Sequence, residues 1–117
     1  PYLSRGLGDV YKRQVGMNYQ IASNGAEAVN MFQSGQLYTA ILMDCMMPVM
    51  DGLTATRSIR KWETEQGRDR TPIIALTASV LPEEIDSCFE AGMDAYLPKP
   101  YKSQQLFDTF ERLHVVL

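Results

Sequence analysis

Three polar residues in this sequence each close a short apolar run: Asp44 follows residues 39–43 (TAILM), Thr77 follows residues 72–76 (PIIAL), and Lys99 stands just past AYLP at residues 95–98. If those runs are parallel strands, all three end at one edge of a sheet, because parallel strands share a direction. Open α/β sheets bind their ligands in the crevice outside that edge, so a carboxylate, a hydroxyl and an ammonium would meet where chemistry is expected. Each residue alone has a plainer reading. An Asp after a strand is commonly a cap or turn residue, and a Thr or Lys there is commonly structural or solvated. The set of three carries the information.

The elements that would position them follow from periodicity. From Tyr19 onward, short apolar runs alternate with amphipathic segments of about ten residues, the pattern of strands and crossover helices in a parallel sheet. The runs are residues 19–22, 39–43, 72–76 and 95–97. TAILM and PIIAL are apolar at nearly every position, which implies burial on both faces and helices on both sides. A first helix is expected after Asn24 as N-cap, through Ala28, Val29 and Phe32, stopped by Gly35. A second runs from about Leu53 to Glu65 with Leu53, Thr56, Ile59 and Trp62 on its inner stripe, and ends in the polar stretch 66–70. A third opens with Pro82, Glu83 and Glu84, closes at Gly92, and should bury Ile85, Cys88 and Phe89. A fourth begins near Ser103 and carries Leu106, Phe107, Phe110 and Leu113 along one side.

Composition narrows the function classes. The 117 residues, 45% hydrophobic and 21% charged, suffice for one core and are too few for two ordinary domains. A net charge of −3 argues against a nucleic-acid surface, which needs a basic face. No run approaches the roughly 18 apolar residues of a membrane span, and no charged start leads into an apolar signal segment, so no membrane contact is expected of this domain and the chain reads as cytoplasmic, including as part of a larger membrane-tethered protein. Cys45 and Cys88 lie far apart in sequence with neither CxxC nor ligand spacing, and read as reduced, packed thiols.

The surroundings of the three polar residues go further. Asp44 lies in LMDCMMPVMDG, Thr77 in ALTAS and Lys99 in AGMDAYLPKP, preceded by SNGAEAV at residues 23–29. These stretches resemble the phosphoacceptor loop, the switch threonine and the Lys-Pro of response-regulator receiver domains, above all those fused to hybrid histidine kinases, over residues 19–113. The resemblance implies a flavodoxin-like, doubly wound parallel sheet of order 2-1-3-4-5. It also implies two-component signalling: Asp44 accepts a phosphoryl group as a nucleophile from a phosphohistidine of a histidine kinase or histidine phosphotransfer domain, and Lys99 pairs with a phosphoryl oxygen. Mg²⁺ would take Asp44 and the backbone carbonyl of Met46. The Thr77 hydroxyl would turn to the phosphoryl group, and Tyr96 would follow it inward as the switch aromatic, the alternative being an ordinary half-buried strand tyrosine. Pro100 would follow a cis peptide that aims Lys99, while Pro48 and Gly52 shape the loop. The partner face, which could also pair two receivers, would be that of residues 82–113. The chain would be a signalling domain rather than an enzyme, beyond self-catalysed phosphoryl transfer and autodephosphorylation.

The opening departs from the family. A receiver begins with a buried strand that ends in an acidic pair, then a full helix, before the strand that matches residues 19–22. Residues 1–14 (PYLSRGLGDVYKRQ) have no run of four apolar residues and are interrupted by Gly6, Gly8 and three basic residues. They read as a segment foreign to the family, from a truncated or misassembled coding sequence, with residues 15–117 an incomplete receiver whose first strand and most of whose first helix are lost or replaced. Asp9, the only acid before Glu27, is a weak stand-in for a Mg²⁺ ligand, and metal binding should be weakened. A phosphorylation-incompetent pseudo-receiver, acting as an interaction module, is therefore the alternative. A haloacid-dehalogenase-type phosphatase would need an aspartate where Met46 stands, and Gly6 and Gly8 are followed by Tyr11 where a dinucleotide fingerprint needs glycine.

Overall fold

The computed structural model describes residues 2–3, 19–20, 24–35, 38–46 and 50–115. Five strands form one parallel sheet: β1 (Tyr2–Leu3), β2 (Tyr19–Gln20), β3 (Ala40–Asp44), β4 (Ile73–Thr77) and β5 (Ala95–Pro98), in the order β2-β1-β3-β4-β5. This is the expected topology, with one correction. The opening segment, read as too poor in apolar residues to supply a central strand, places Tyr2–Leu3 between β2 and β3, with Tyr2 opposite both Tyr19 and Ala40. Backbone pairing needs no apolar run when only two residues take part, and the pairing keeps the flanking strands from presenting open edges there.

Four helices are described: α1 (Gly25–Gln33), α2 (Gly52–Gln66), α3 (Pro82–Ala91) and α4 (Ser103–Arg112). The Asn24 side chain accepts from the Glu27 N–H at 2.9 Å to start α1, and Asp51 accepts from Thr54 N–H at 2.8 Å to start α2. Pro82 opens α3, and Gly92 closes it at φ 111, a left-handed cap that glycine adopts without strain.

Period-2 alternation in the central strands builds two cores. Ile41, Met43, Ile73 and Ala75 point to one face, where α1, α2 and α3 contribute Val29, Phe32, Ile59 and Cys88. Ala40, Leu42, Ile74 and Leu76 point to the other, against Leu106 and Phe110 of α4. Phe107 and Leu113 pack at the margin of that second core. Two helix faces differ from expectation. The inner stripe of α2 is Gly52, Ala55, Thr56, Ile59 and Glu63, with Leu53 and Trp62 only partly buried. Phe89 is not on the buried face of α3: it is 45% exposed and meets Tyr96 edge-on, with ring centroids 6.4 Å apart.

Candidate functional site

Asp44 and Thr77 are the last residues of β3 and β4, and Lys99 directly follows β5. The ladder continues past the strand ends: Cys45 N–H donates to the Leu76 carbonyl at 3.0 Å, and Lys99 N–H donates to the Thr77 carbonyl at 2.7 Å. These bonds bring the three residues to one edge. Lys99 Nζ donates to Asp44 Oδ2 at 2.6 Å, and the Met46 backbone N–H donates to Asp44 Oδ1 at 3.1 Å. Thr77 Oγ1 donates to the Ser79 carbonyl at 3.1 Å, so the hydroxyl is held within its own loop. The Lys99–Pro100 peptide is cis, as the resemblance implied.

Gly52 sets the approach of α2. A Cβ there would collide with the Asp44 carbonyl oxygen, and the Gly52 N–H donates to the Cys45 carbonyl at 3.2 Å. Only a residue without a side chain lets the helix start that close to the strand end. Tyr96, half-buried, packs against the first core. Pro48 and Asp9 lie outside the described residues.

The metal question turns on donors. Asp44 and the carbonyl of Met46 offer oxygen ligands, but Mg²⁺ wants near-octahedral oxygen coordination with carboxylate charge. Among the described residues no cluster of three His, Cys, Asp or Glu side chains could hold a metal ion, and Ser4, Arg5 and Gly6, which follow β1 in sequence, carry no carboxylate. The described residues do not by themselves make a Mg²⁺ site.

One feature of the site was illegible as a pair. Cys45 and Cys88, 43 positions apart, place their sulfurs 3.7 Å from each other. Burial, then the neighbouring Cys88 and Asp44, push the Cys45 thiol up to about 12, with Lys99 opposing. Both cysteines line a cavity of about 350 Å³ with Thr77, Ser79, Glu84 and Ser87. A larger cleft of about 620 Å³, lined by Tyr38 and residues 66–72, lies away from this edge. Its arginines are engaged, Arg68 over the Trp62 ring at 4.9 Å and Arg70 with Asp94 at 2.9 Å, so it does not compete as the reactive site.

Comparison with known proteins agrees with the geometry. The response regulator receiver domain family model matches residues 1–111. The chain is 39% identical over 98 residues to the peroxide stress-activated histidine kinase mak1 of Schizosaccharomyces pombe, covering 82% of this chain and 6% of that protein. It is 41% identical over 92 residues to the sensor protein GacS of Pseudomonas syringae pv. syringae, covering 79% of this chain and 10% of that protein. The chain thus spans a small part of the length of these curated relatives. Among solved structures, the receiver domain of a sensor histidine kinase from Pseudomonas aeruginosa, with a magnesium ion coordinated in its active-site cleft, superposes with TM-score 0.80 at 37% identity, covering 95% of this chain and 93% of that one. The Saccharomyces cerevisiae receiver domain of Ssk1, crystallised with the histidine phosphotransfer protein Ypd1, gives TM-score 0.86 at 26% identity, covering 99% of this chain and 90% of that one.

Proposed function

Since this chain belongs to the response-regulator receiver family of two-component signalling, we propose that Asp44 is its phosphoacceptor. The observation that carries this reading is the Lys99 ammonium 2.6 Å from the Asp44 carboxylate, at the strand end beside Thr77. An oxygen of Asp44 attacks the phosphorus of a phosphohistidine, the P–N bond breaks, and the imidazole nitrogen keeps the electron pair and takes up a proton. Lys99 shifts from the carboxylate to a phosphoryl oxygen and neutralises charge as it arrives. Thr77 exchanges its bond to the Ser79 carbonyl for one to the phosphoryl group, and Tyr96 turns inward behind it.

The donor is a histidine kinase or histidine phosphotransfer domain, in keeping with the kinases the chain resembles and with the Ypd1 complex of a structural neighbour. The responding face is that of residues 82–113, where two receivers could also pair. No described helix is long and apolar enough to cross a membrane, and the reading places the domain on the cytoplasmic side. On this reading residues 1–14 are atypical of the family, with Tyr2–Leu3 in the place of its first strand.

The test is phosphorylation by a small phosphodonor such as acetyl phosphate, with Mg²⁺. Asp44→Asn should abolish the hydroxylamine-labile phosphoryl group, and Mg²⁺ affinity should be weak and rise when residues 1–14 are replaced by a family-like strand, acidic pair and helix. A label that survives on Asp44→Asn would refute the assignment. The lack of a carboxylate cluster among the described residues favours a second reading, a pseudo-receiver that keeps the partner face without the chemistry. That reading predicts no label on the chain in either form.

A further inference from the structure

We propose that Cys45 and Cys88 form a reversible modification site, a dithiol beside Asp44 that closes to an intramolecular disulfide on exchange with a low-molecular-weight disulfide. The sulfurs stand 3.7 Å apart, although one residue directly follows β3 and the other belongs to α3. A disulfide needs them at about 2.05 Å, so the two sulfurs start within van der Waals contact of each other and short of a bond. Both line the cavity of about 350 Å³, which gives a small reagent a way in. Cys45 is half-buried and Cys88 buried, so Cys45 meets the reagent and Cys88 resolves the adduct.

The exchange balances. The Cys45 sulfur attacks one sulfur of the small disulfide, whose S–S bond breaks, and the first small thiol leaves with the proton that Cys45 has given up. The Cys88 sulfur then attacks Cys45 in the mixed disulfide, and the second small thiol leaves with the Cys88 proton. The protein dithiol loses two electrons and two protons, and the small disulfide gains both. The bond would tie α3 to the phosphoacceptor strand across the wall where Thr77 sits. Its effect on signalling rests on the proposed function; its formation does not.

The probe is 4,4′-dithiodipyridine, added below one equivalent to the full chain and followed by thiopyridone absorbance and peptide mass spectrometry. The native protein should release two thiopyridones per reagent and yield a peptide pair linked through Cys45 and Cys88. Cys88→Ser should release one and keep the pyridyl adduct on Cys45. A stable adduct on the unmutated chain, or linkage only between chains, would overturn the proposal, as would reaction only after denaturation in urea. Acetyl phosphate labelling of the reduced and oxidised forms separates the two readings. Slower labelling of the oxidised form is expected. No label on either form refutes the phosphoacceptor reading alone, and the thiopyridone count refutes the dithiol reading alone.

Discussion

The two edges of the sheet are built from similar residues to opposite effect. At the carboxyl edge, Asp44, Thr77 and Lys99 hold few, replaceable contacts: Asp44 has one ion pair and one backbone N–H, and the Thr77 hydroxyl is bonded within its own loop. At the other edge Arg60 ties α2 to the starts of β4 and β5. It donates to the carbonyls of Gly92 and Thr71 and to the carboxylates of Glu63 and Asp94, at 2.8–2.9 Å. Glu63, almost fully buried, also accepts from the Thr71 N–H, and Asp94 accepts from Arg70 and from the Ile73 N–H. Charges locked by several partners stabilise a scaffold, whereas charges with one exchangeable partner can rearrange around a ligand.

The sharpest way to break this contrast is Arg60→Ala, which strands the buried Glu63 carboxylate. We expect a loss of about 3–5 kcal/mol, read by urea denaturation, out of a total on the order of 5–15 kcal/mol. A loss below 1 kcal/mol would mean that the scaffold edge is no more locked than the reactive one. Gly52→Ala should come next, at about 1–3 kcal/mol, because its methyl group must push α2 away from the Asp44 carbonyl. It should also slow phosphorylation, since that shift moves the loop carrying Met46. A stable variant with unaltered labelling would show that the close approach is incidental.

The reactive edge was legible because strand ends in a parallel sheet fix positions without long-range knowledge: TAILM, PIIAL and AYLP place Asp44, Thr77 and Lys99 together. The scaffold edge was not, because Arg60, Glu63 and Asp94 meet only through packing between elements. A signal did exist, since Glu63 falls four residues after Ile59 on the inner stripe of α2, where a carboxylate must find partners. The apolar spacing of Leu53 and Trp62 masks it in the sequence. The contact of Cys45 with Cys88 was hidden likewise, as spacing rules see only neighbours in sequence. Tyr2–Leu3 escaped because a search for apolar runs cannot find a strand of two residues.

A smaller effect is expected at Asp51, which belongs to the reactive edge but acts as a helix cap. Asp51→Ala should cost about 1 kcal/mol at neutral pH. Hydrogen bonds from Thr54 hold the Asp51 carboxyl below its ordinary value. The folded-state value is therefore the lower one, so the cap's contribution is present above the unfolded carboxylate range and is lost as pH falls through the folded value. The stability difference between the two proteins should shrink below about pH 4. A difference that persists in acid would mean that the carboxylate is not what caps α2.

The smallest thermodynamic effect should belong to the pair on which the chemistry depends. Lys99 is 40% exposed along its side chain, so its ion pair with Asp44 sits in water-screened surroundings despite the 2.6 Å distance. A double-mutant cycle with Asp44→Asn and Lys99→Ala should return a coupling of roughly 0–1 kcal/mol, weakening further as salt is raised. The low value has a functional reason: Lys99 must leave the carboxylate for an arriving phosphoryl oxygen, and any energy held in the resting pair adds to the barrier. Lys99→Ala should therefore barely move the urea midpoint while removing most of the labelling of Asp44. A coupling of about 3 kcal/mol or more would place this pair with the buried ion pairs of the opposite edge. The site would then be a lock, and phosphoryl transfer to Asp44 would have to begin by breaking it.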